Sequence, residues 1–507
     1  SSQLVFHDGS VSRNQLEFFS ITIDEDHYPM IYVRDRQSSN GTYVNGNLIG
    51  RKPAISPARL LNNGDVIEIF PHITFKLHQP LEKTPRFTLT PLQRAELKLI
   101  ENVFIVSDRT IGDGCHAVIH LAVEVKTGRQ VVCKIHNLMK PENAHPDSLR
   151  RIRQEANIMN CLDHPHILAF KQAFESSNNL YIFMELATGG DLFSLLWRRQ
   201  KFSNFEIKVI LRQVLRGVSH LHARGIAHRD LKTENILCAV APTVAHRIVI
   251  TDLGHAGMTS RGRMRSNVGT LRYRAPEAHQ TSGSHGASVD IWSIGVLTLQ
   301  LFAGPIPLAK LELGDQALIT SSLDAYLLEI YGGEMTENAK GFIRSCLTFD
   351  SDQRPTAQEA LEHPWLQEPE QESNALGILE SASLTSWTQR DLMLPAIENL
   401  GGAATLQSTE NNDLDAAQDE FRKGSATASR SLSPGVEAPP EEVVVLHSSS
   451  PKARVFVKDT GTITKRRRLL SPSPGSSAST KQDHCPGDPE TRPSRPGVRP
   501  TVQLDRK

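Results

Sequence analysis

Asp230, Lys232, Asn235 and Asp252 stand close together in HRDLKTENIL (residues 228–237) and VITDLGHA (residues 249–256). A carboxylate such as Asp230 can orient and deprotonate a hydroxyl, and an ammonium such as Lys232 can neutralise a transferring phosphate. Asn235 and Asp252 supply the hard oxygen donors that magnesium takes into an octahedron completed by nucleotide phosphates. The chemistry these residue types support together is phosphoryl transfer; neither a serine hydrolase nor a zinc site is indicated. His228, beside Arg229 and Asp230, reads as a structural hydrogen-bonding group rather than a general base.

Such residues need elements that hold the phosphates against them. IGDGCHAVI places Gly112 and Gly114 in a tight turn between expected strands, where missing side chains let backbone N–H groups approach an anion. RQVVCKI puts Lys134 in a strand, on one face with Val132 and opposite Cys133. Glu155 lies in LRRIRQEANIM, a helical run. Taken singly, these are an ordinary hairpin, a solvated strand lysine and a surface glutamate; their order along the chain gives them weight.

The chain has 507 residues, enough for two to four domains, and 39% apolar content supports a sizeable core. Fifty-six basic residues balance fifty-six acidic ones, which argues against bulk electrostatic attachment to nucleic acid or an anionic membrane. No apolar run is long enough to span a bilayer. Cys115, Cys133, Cys161, Cys238, Cys346 and Cys485 show neither metal-ligand spacing nor a disulfide framework, which fits a reducing compartment. Residues 1–78 alternate short β-type runs with Asn-Gly turns at Asn40-Gly41, Asn45-Gly46 and Asn63-Gly64, the pattern of an all-β module. Residues 79–102 read as a linker. From Val103 strands precede helices, and after Asp191 runs such as EIKVILRQVLRGVSHLHARG repeat apolar residues at spacings of three and four. This organisation ends near Trp365. Residues 367–507 form a tail, with a helical stretch expected around 375–400 and disorder expected over 404–507, where the Ser/Pro/Glu-rich composition cannot offset the entropy of ordering.

Over roughly residues 103–366 these segments resemble the eukaryotic protein kinase family. The resemblance implies ATP and Mg2+ as cofactors. It makes Lys134 the phosphate-gripping partner of Glu155, Asp230 the catalytic base, Lys232 a catalytic cation, and Asn235 and Asp252 the metal ligands. Ala275-Pro276-Glu277 would close the activation segment, Asp290 would support the catalytic loop, and Arg354 would pair with Glu277. In NNLYIFMELATGGDLF, Met184 matches the residue at the rear of the nucleotide pocket, and Glu185 and Ala187 occupy hinge positions whose backbone receives adenine. Ile119, Val132 and Leu237 would enclose the purine, and Asp191 would border the nucleotide. Lys232 follows the Ser/Thr-kinase pattern. Ala117, Ile119, Val132 and Leu253 depart from the usual Gly, Val, Ala and Phe, but no catalytic group is missing. The leading reading is an ATP-dependent Ser/Thr kinase; the alternative is a noncatalytic scaffold.

VSRNQLEF (residues 11–18) and DRQSSNGTYVNG (residues 35–46) resemble a forkhead-associated domain, which reads phosphothreonine on a β-sandwich. The resemblance implies phosphate contacts from Ser12 and Arg13 and peptide contacts from Ser39 and Asn40. Gln15 stands where that family usually has His, and its upstream Gly-Arg motif has no match before Ser12, so the sandwich is expected to be partial. The fold class expected is therefore multidomain: a partial all-β forkhead-associated sandwich, a bilobal α+β kinase fold and a largely disordered tail.

A forkhead-associated domain followed by a Ser/Thr kinase resembles the checkpoint kinase 2 family and its fungal DNA-damage and meiotic relatives. Asp191 and Glu234 supply acid where kinases that prefer basic substrates receive an upstream arginine, so protein substrates with basic residues before Ser/Thr are the expected partners. Ser266, with Arg263 three residues ahead, is the expected activating phosphosite, with Thr270 second; transfer between two copies in a transient homodimer would modify it. Lys465-Arg466-Arg467-Arg468 reads as nuclear import signal or solvated charge, which places the chain in the nucleus, with cytoplasm as a second location. No direct nucleic-acid contact and no membrane partner are expected.

Overall fold

The computed structural model describes residues 6, 8–22, 29–53, 56–71, 73–79, 87–113, 117–140, 146–239, 247–258, 273–279, 286–304, 335–367 and 397–400, with a few isolated positions and short strands beyond.

Two sheets form the amino-terminal module. One has the order β1–β2–β5, from β1 (Leu16–Ile21), β2 (Met30–Asp35) and β5 (Arg59–Leu60). The other contains β3 (Thr42–Val44), β4 (Asn47–Gly50), β6 (Val66–Ile69) and β7 (Ile73–His78), with Gln503–Asp505 paired to the free edge of β7. Alternate residues of the facing strands fill the sandwich: Leu16, Phe18, Ile31, Val33, Leu61, Ile67 and Phe75 share one apolar cluster. MIYVRD does not alternate, and β2 is covered on both faces.

The next 24 positions were expected to be a linker, but they include helix α1 (Pro91–Lys98). Thr90 caps it in a reciprocal box with Gln93, and Pro91 fits the first turn, where its missing N–H costs nothing. Glu96, 1% exposed, anchors the helix to the domain that follows. It accepts hydrogen bonds from Asn178 Nδ2 (3.1 Å), Asn179 Nδ2 (2.8 Å) and the Tyr181 hydroxyl (2.6 Å). Burial, followed by Glu96 itself, pushes the Tyr181 phenol well above its ordinary value.

The second domain opens with β8 (Phe104–Asp113), β9 (Val118–Glu124), β10 (Gln130–Asn137), β11 (Phe170–Glu175) and β12 (Asn179–Glu185), ordered β11–β12–β10–β9–β8. Helix α2 (Pro146–Asn160) packs Ile152, Ala156 and Met159 against the sheet's concave face, a spacing of one helical stripe that also carries Glu155 inward. The larger lobe is built on α4 (Asn204–His222) and α5 (Ser288–Ala303). In α4 a Ser203–Glu206 capping box precedes a stripe of Ile207, Ile210, Leu211, Val214, Leu215, Val218 and Leu221. Helix α5 is apolar almost all round and accordingly central. Gly295 lets α6 (Glu337–Cys346) approach: a Cβ there would lie 2.9 Å from Cys346 Cβ.

The helix expected around 375–400 is corrected at its end. Glu398–Asn399 is a strand parallel to β11 and extends the sheet by one edge. Ile397 and Leu400 bury on either side of that edge, an alternation that suits a strand rather than a helix.

Candidate active site

Lys134 on β10 meets Glu155 on α2 at 2.7 Å from Nζ to Oε1. Its register places Lys134 opposite Ile119 on β9 and Ile182 on β12, while Val132 faces Leu121 and Met184. Cross-strand partners share a face, so Ile119, Leu121, Val132, Lys134 and Met184 line one surface of the sheet. Val131, Cys133 and Ile135 go to a separate cluster on the other side. Gly112 lies within β8, paired with Ile119 across an irregular register, rather than in the turn that its sequence suggested. Gly114 lies outside the described residues.

The segment 228–238 returns from α4 under that surface. Asp290 of α5, fully buried, accepts the backbone N–H groups of His228 and Arg229, each at 2.8 Å, and meets His222 Nε2 at 2.8 Å. These bonds hold Arg229 at φ 70°, a left-handed turn that a non-glycine residue adopts only when its surroundings fix it. Burial alone would raise the Asp290 carboxyl; the His222 hydrogen bond and the neighbouring donors hold it below its ordinary value. His228 Nε2 contacts Thr251 O at 2.9 Å, tying this loop to the next, which is the structural role its sequence position suggested.

Within the loop, Asp230 Oδ2 accepts from Lys232 Nζ at 2.7 Å and from Asn235 Nδ2 at 3.0 Å. Asn235 Nδ2 also donates to Asp230 O at 2.8 Å. With both donations made by its nitrogen, the Asn235 amide oxygen is turned the other way. Asp252 follows the short strand Ile248–Ile250 in a left-handed conformation (φ 63°, ψ 72°), and its Oδ1 lies 3.6 Å from Lys134 Nζ. Burial is the largest influence on Asp252 and opposes its ionisation, but Lys134, His228, His255 and Lys232 together outweigh it and the carboxyl sits below its ordinary value. Glu155 and Asp252 likewise overcome burial at Lys134 and push it up to about 12. Lys134 and Asp252 are thus charged at neutral pH, and the Asp252 carboxylate and Asn235 amide are oxygen donors of the hard type that a divalent cation takes.

At the hinge, Glu185 donates its N–H to Ala169 O and its carboxylate meets Arg247 at 2.5 Å, so its side chain is committed away from the cleft. Ala187 and Leu237 are half-buried. Asp191 caps helix α3 (Leu192–Arg199), accepting from Ser194 N and Oγ, each at 2.7 Å. Glu234 is exposed on the short turn that α3 packs against. Arg354 clasps Glu277 with two bonds, 2.6 and 2.8 Å, and stacks 5.0 Å above Trp292. Ser266 and Thr270 lie outside the described residues. His136 escaped the sequence reading: period two puts it on the Lys134 face, and its Nε2 stands 3.8 Å from Glu155 Oε2.

In the amino-terminal module Ser12 Oγ accepts the Ser39 N–H at 2.9 Å, and Asn40 Nδ2 donates to Ser10 O at 2.8 Å, so the two loops form one rim. Arg13 is exposed beside it. Gln15 is buried where His is usual. Its Oε1 accepts from Ser12 N (3.0 Å) and its Nε2 donates to Gly41 O (2.9 Å), so an amide joins the two loops.

Comparison with known proteins identifies the two domains. The protein kinase domain family matches residues 105–366, and the FHA domain family matches residues 1–70. The meiosis-specific serine/threonine-protein kinase mek1 of Schizosaccharomyces pombe is 31% identical over 70% of this chain and 77% of its own. The meiosis-specific serine/threonine-protein kinase MEK1 of Saccharomyces cerevisiae is 30% identical over 72% of this chain and 78% of its own. The calcium/calmodulin-dependent protein kinase cmkA of Emericella nidulans is 33% identical over 64% and 77%. With a kinase match across half its length, an FHA module ahead of it and Ser/Thr kinases as relatives, the chain belongs to the protein kinase family.

Proposed function

We propose that this chain transfers the γ-phosphoryl group of ATP to Ser/Thr hydroxyls of proteins carrying an upstream arginine, in meiotic or checkpoint signalling in the nucleus. The observation that carries the chemistry is the convergence of Lys134, Glu155, Asp230, Lys232, Asn235 and Asp252, drawn from separate elements, on one cleft. Asp230 orients the substrate hydroxyl and takes its proton at Oδ1 or Oδ2. Lys232, already 2.7 Å from Asp230, sits where negative charge develops on the transferred group. Lys134, fixed by Glu155, holds the nucleotide phosphates. Asn235 and Asp252 hold Mg2+, which neutralises phosphate charge when bound. Positioning and charge stabilisation account for the rate.

The basic preference rests on the exposed Glu234 carboxylate next to Asp191. Because Asp191 also caps α3, replacing it would cost about 1 kcal/mol of helix stability, so Glu234→Arg is the cleaner probe. A positional peptide array should show the arginine preference of the wild type weakened in that variant. An array with no upstream arginine preference in the wild type overturns the substrate reading. Ser12, Arg13, Ser39 and Asn40 are proposed to bind phosphothreonine, which calorimetry with matched phosphorylated and unphosphorylated peptides tests. Activation through Ser266, with Thr270 second, by a second copy of the chain predicts modification whose rate rises with enzyme concentration.

A further inference from the structure

One face of the forkhead-associated module is apolar and lies outside its own core. Period two along β1 and β2 sends Leu16, Phe18, Ile31 and Val33 into the sandwich. It sends Phe19, Ile21, Met30 and Tyr32 to the opposite face, joined there by Leu60, which pairs with Tyr32. Phe19 and Tyr32 stack at 5.2 Å, yet Tyr32 is only 1% exposed. A sandwich standing alone would leave this face in water.

The kinase domain covers it. Ile21, Tyr32, Ala58 and Leu60 belong to the same hydrophobic cluster as Leu121 and Val132, against which Ile111, Ile119 and Leu237 also pack. The register decides which side of the sheet this is. Leu121 pairs with Val132 and Ile119 with Lys134, so the module meets the face that carries the phosphate-gripping lysine, not the outer face of Val131 and Cys133. Polar contacts fix the position. Gln130 accepts Leu60 N–H at 2.7 Å and donates to Leu60 O at 2.9 Å, satisfying both backbone groups of that strand residue. Arg109 donates to Leu61 O at 2.5 Å and Asn62 Oδ1 at 2.7 Å. At the other end a Cβ on Gly190 would lie 3.0 Å from Ile21 Cγ2, so the face reaches the end of the hinge segment, next to Asp191.

We propose that this face is a lid in cis: the forkhead-associated module closes the hinge-side mouth of the nucleotide cleft, and ATP enters the fraction of molecules in which the module has moved off. The proposal rests on the reading of the cleft as the ATP site. The rim of Ser12 and Ser39 stands at the other end of β1 from Ile21, about 20 Å along a six-residue strand, so phosphopeptide recognition and the lid use different ends of one sheet. A lid closed in roughly nine of ten molecules weakens apparent nucleotide affinity about tenfold.

The full chain is compared with two variants that leave the catalytic and metal-binding groups untouched. Ile21→Asp places a charge at the Gly190 contact, and the double substitution Arg109→Ala, Gln130→Ala removes the polar ties from the kinase side alone. Titration with a fluorescent ATP analogue, the KM for ATP, and hydrogen exchange over residues 16–21 and 30–35 are the readouts. Both variants should exchange faster on the sheet face and bind the analogue at least about fivefold more tightly, with kcat at saturating ATP unchanged. Faster exchange with unchanged affinity overturns the lid. Unchanged exchange and affinity in both variants overturns the docking itself. Failure of wild type and variants alike to bind the analogue refutes the ATP-site reading instead, and the lid falls with it.

Discussion

Residues 397–400 allow a test of how the Lys134–Glu155 pair is held. Leu400 donates its N–H to Glu175 O at 2.8 Å, and Gln172 Nε2 reaches Glu398 Oε1 at 2.5 Å. The Glu175 carboxylate takes the Arg153 guanidinium at 2.6 to 3.2 Å, and Arg153 stands two positions before Glu155 on α2. Ile397 packs into the cluster of Ile152, Ala156 and Met159 from the same helix. A continuous set of contacts thus runs from the tail strand to the Lys134–Glu155 pair. Replacing Ile397 and Leu400 with Asp removes two half-buried side chains, about 1 kcal/mol each. Loss of the backbone bond adds about 1 kcal/mol. A total of about 3 kcal/mol is enough to turn a short docked segment from mostly bound to mostly free while the domain stays folded. Hydrogen exchange should rise over residues 170–175 and 151–158, and kcat should fall roughly three- to tenfold as α2 spends more time with Glu155 off Lys134. Wild-type kcat despite faster exchange in β11 would refute this coupling, because it would show α2 held without the strand. Unchanged exchange in β11 would refute the docking.

Asp230→Asn should reduce peptide phosphorylation by at least about a hundredfold while circular dichroism and melting stay near wild type, because the amide cannot accept the substrate proton; near-normal turnover in material free of other kinases would remove Asp230 from the chemistry. For Asp290→Asn the sign follows from its lowered pKa: the charged form stabilises the fold fully above the unfolded value near 4, and this contribution disappears as pH falls through the lower folded value. The variant should be less stable by about 3 kcal/mol at pH 7, with the gap closing below about pH 4, as read from urea melts across pH. Glu96→Ala, which strands Asn178, Asn179 and the Tyr181 hydroxyl, should lower stability by about 3 kcal/mol without altering peptide preference; a change under about 0.5 kcal/mol would show that α1 does not brace the sheet.

The residues proposed for phosphoryl transfer could be singled out in the sequence because their spacing is local. HRDLKTENIL places Asp230, Lys232 and Asn235 on one loop, and period two assigns Lys134 its face before any contact is known. The all-β module and the helical lobe were legible for the same reason: periodicity and Asn-Gly turns are short-range signals. Other features depend on distant partners. The stretch 79–102 has the composition of a linker, and Glu96 becomes an anchor only because Asn178, Asn179 and Tyr181 lie opposite it. Ile397 and Leu400 flank two residues that any local rule leaves undecided, and the unpaired edge of β11 makes them a strand. Gln15 looked like a weakened motif, yet its amide can bond both loops because it offers an acceptor and a donor at once. The outer face of β2 shows the division most sharply. The sequence MIYVRD determined that both faces of the strand are apolar, since four such residues in succession cannot all point one way. Only the tertiary structure decided that the second face meets Leu121 and Val132, because apolar burial is non-directional and a strand carries no record of which distant surface will cover it.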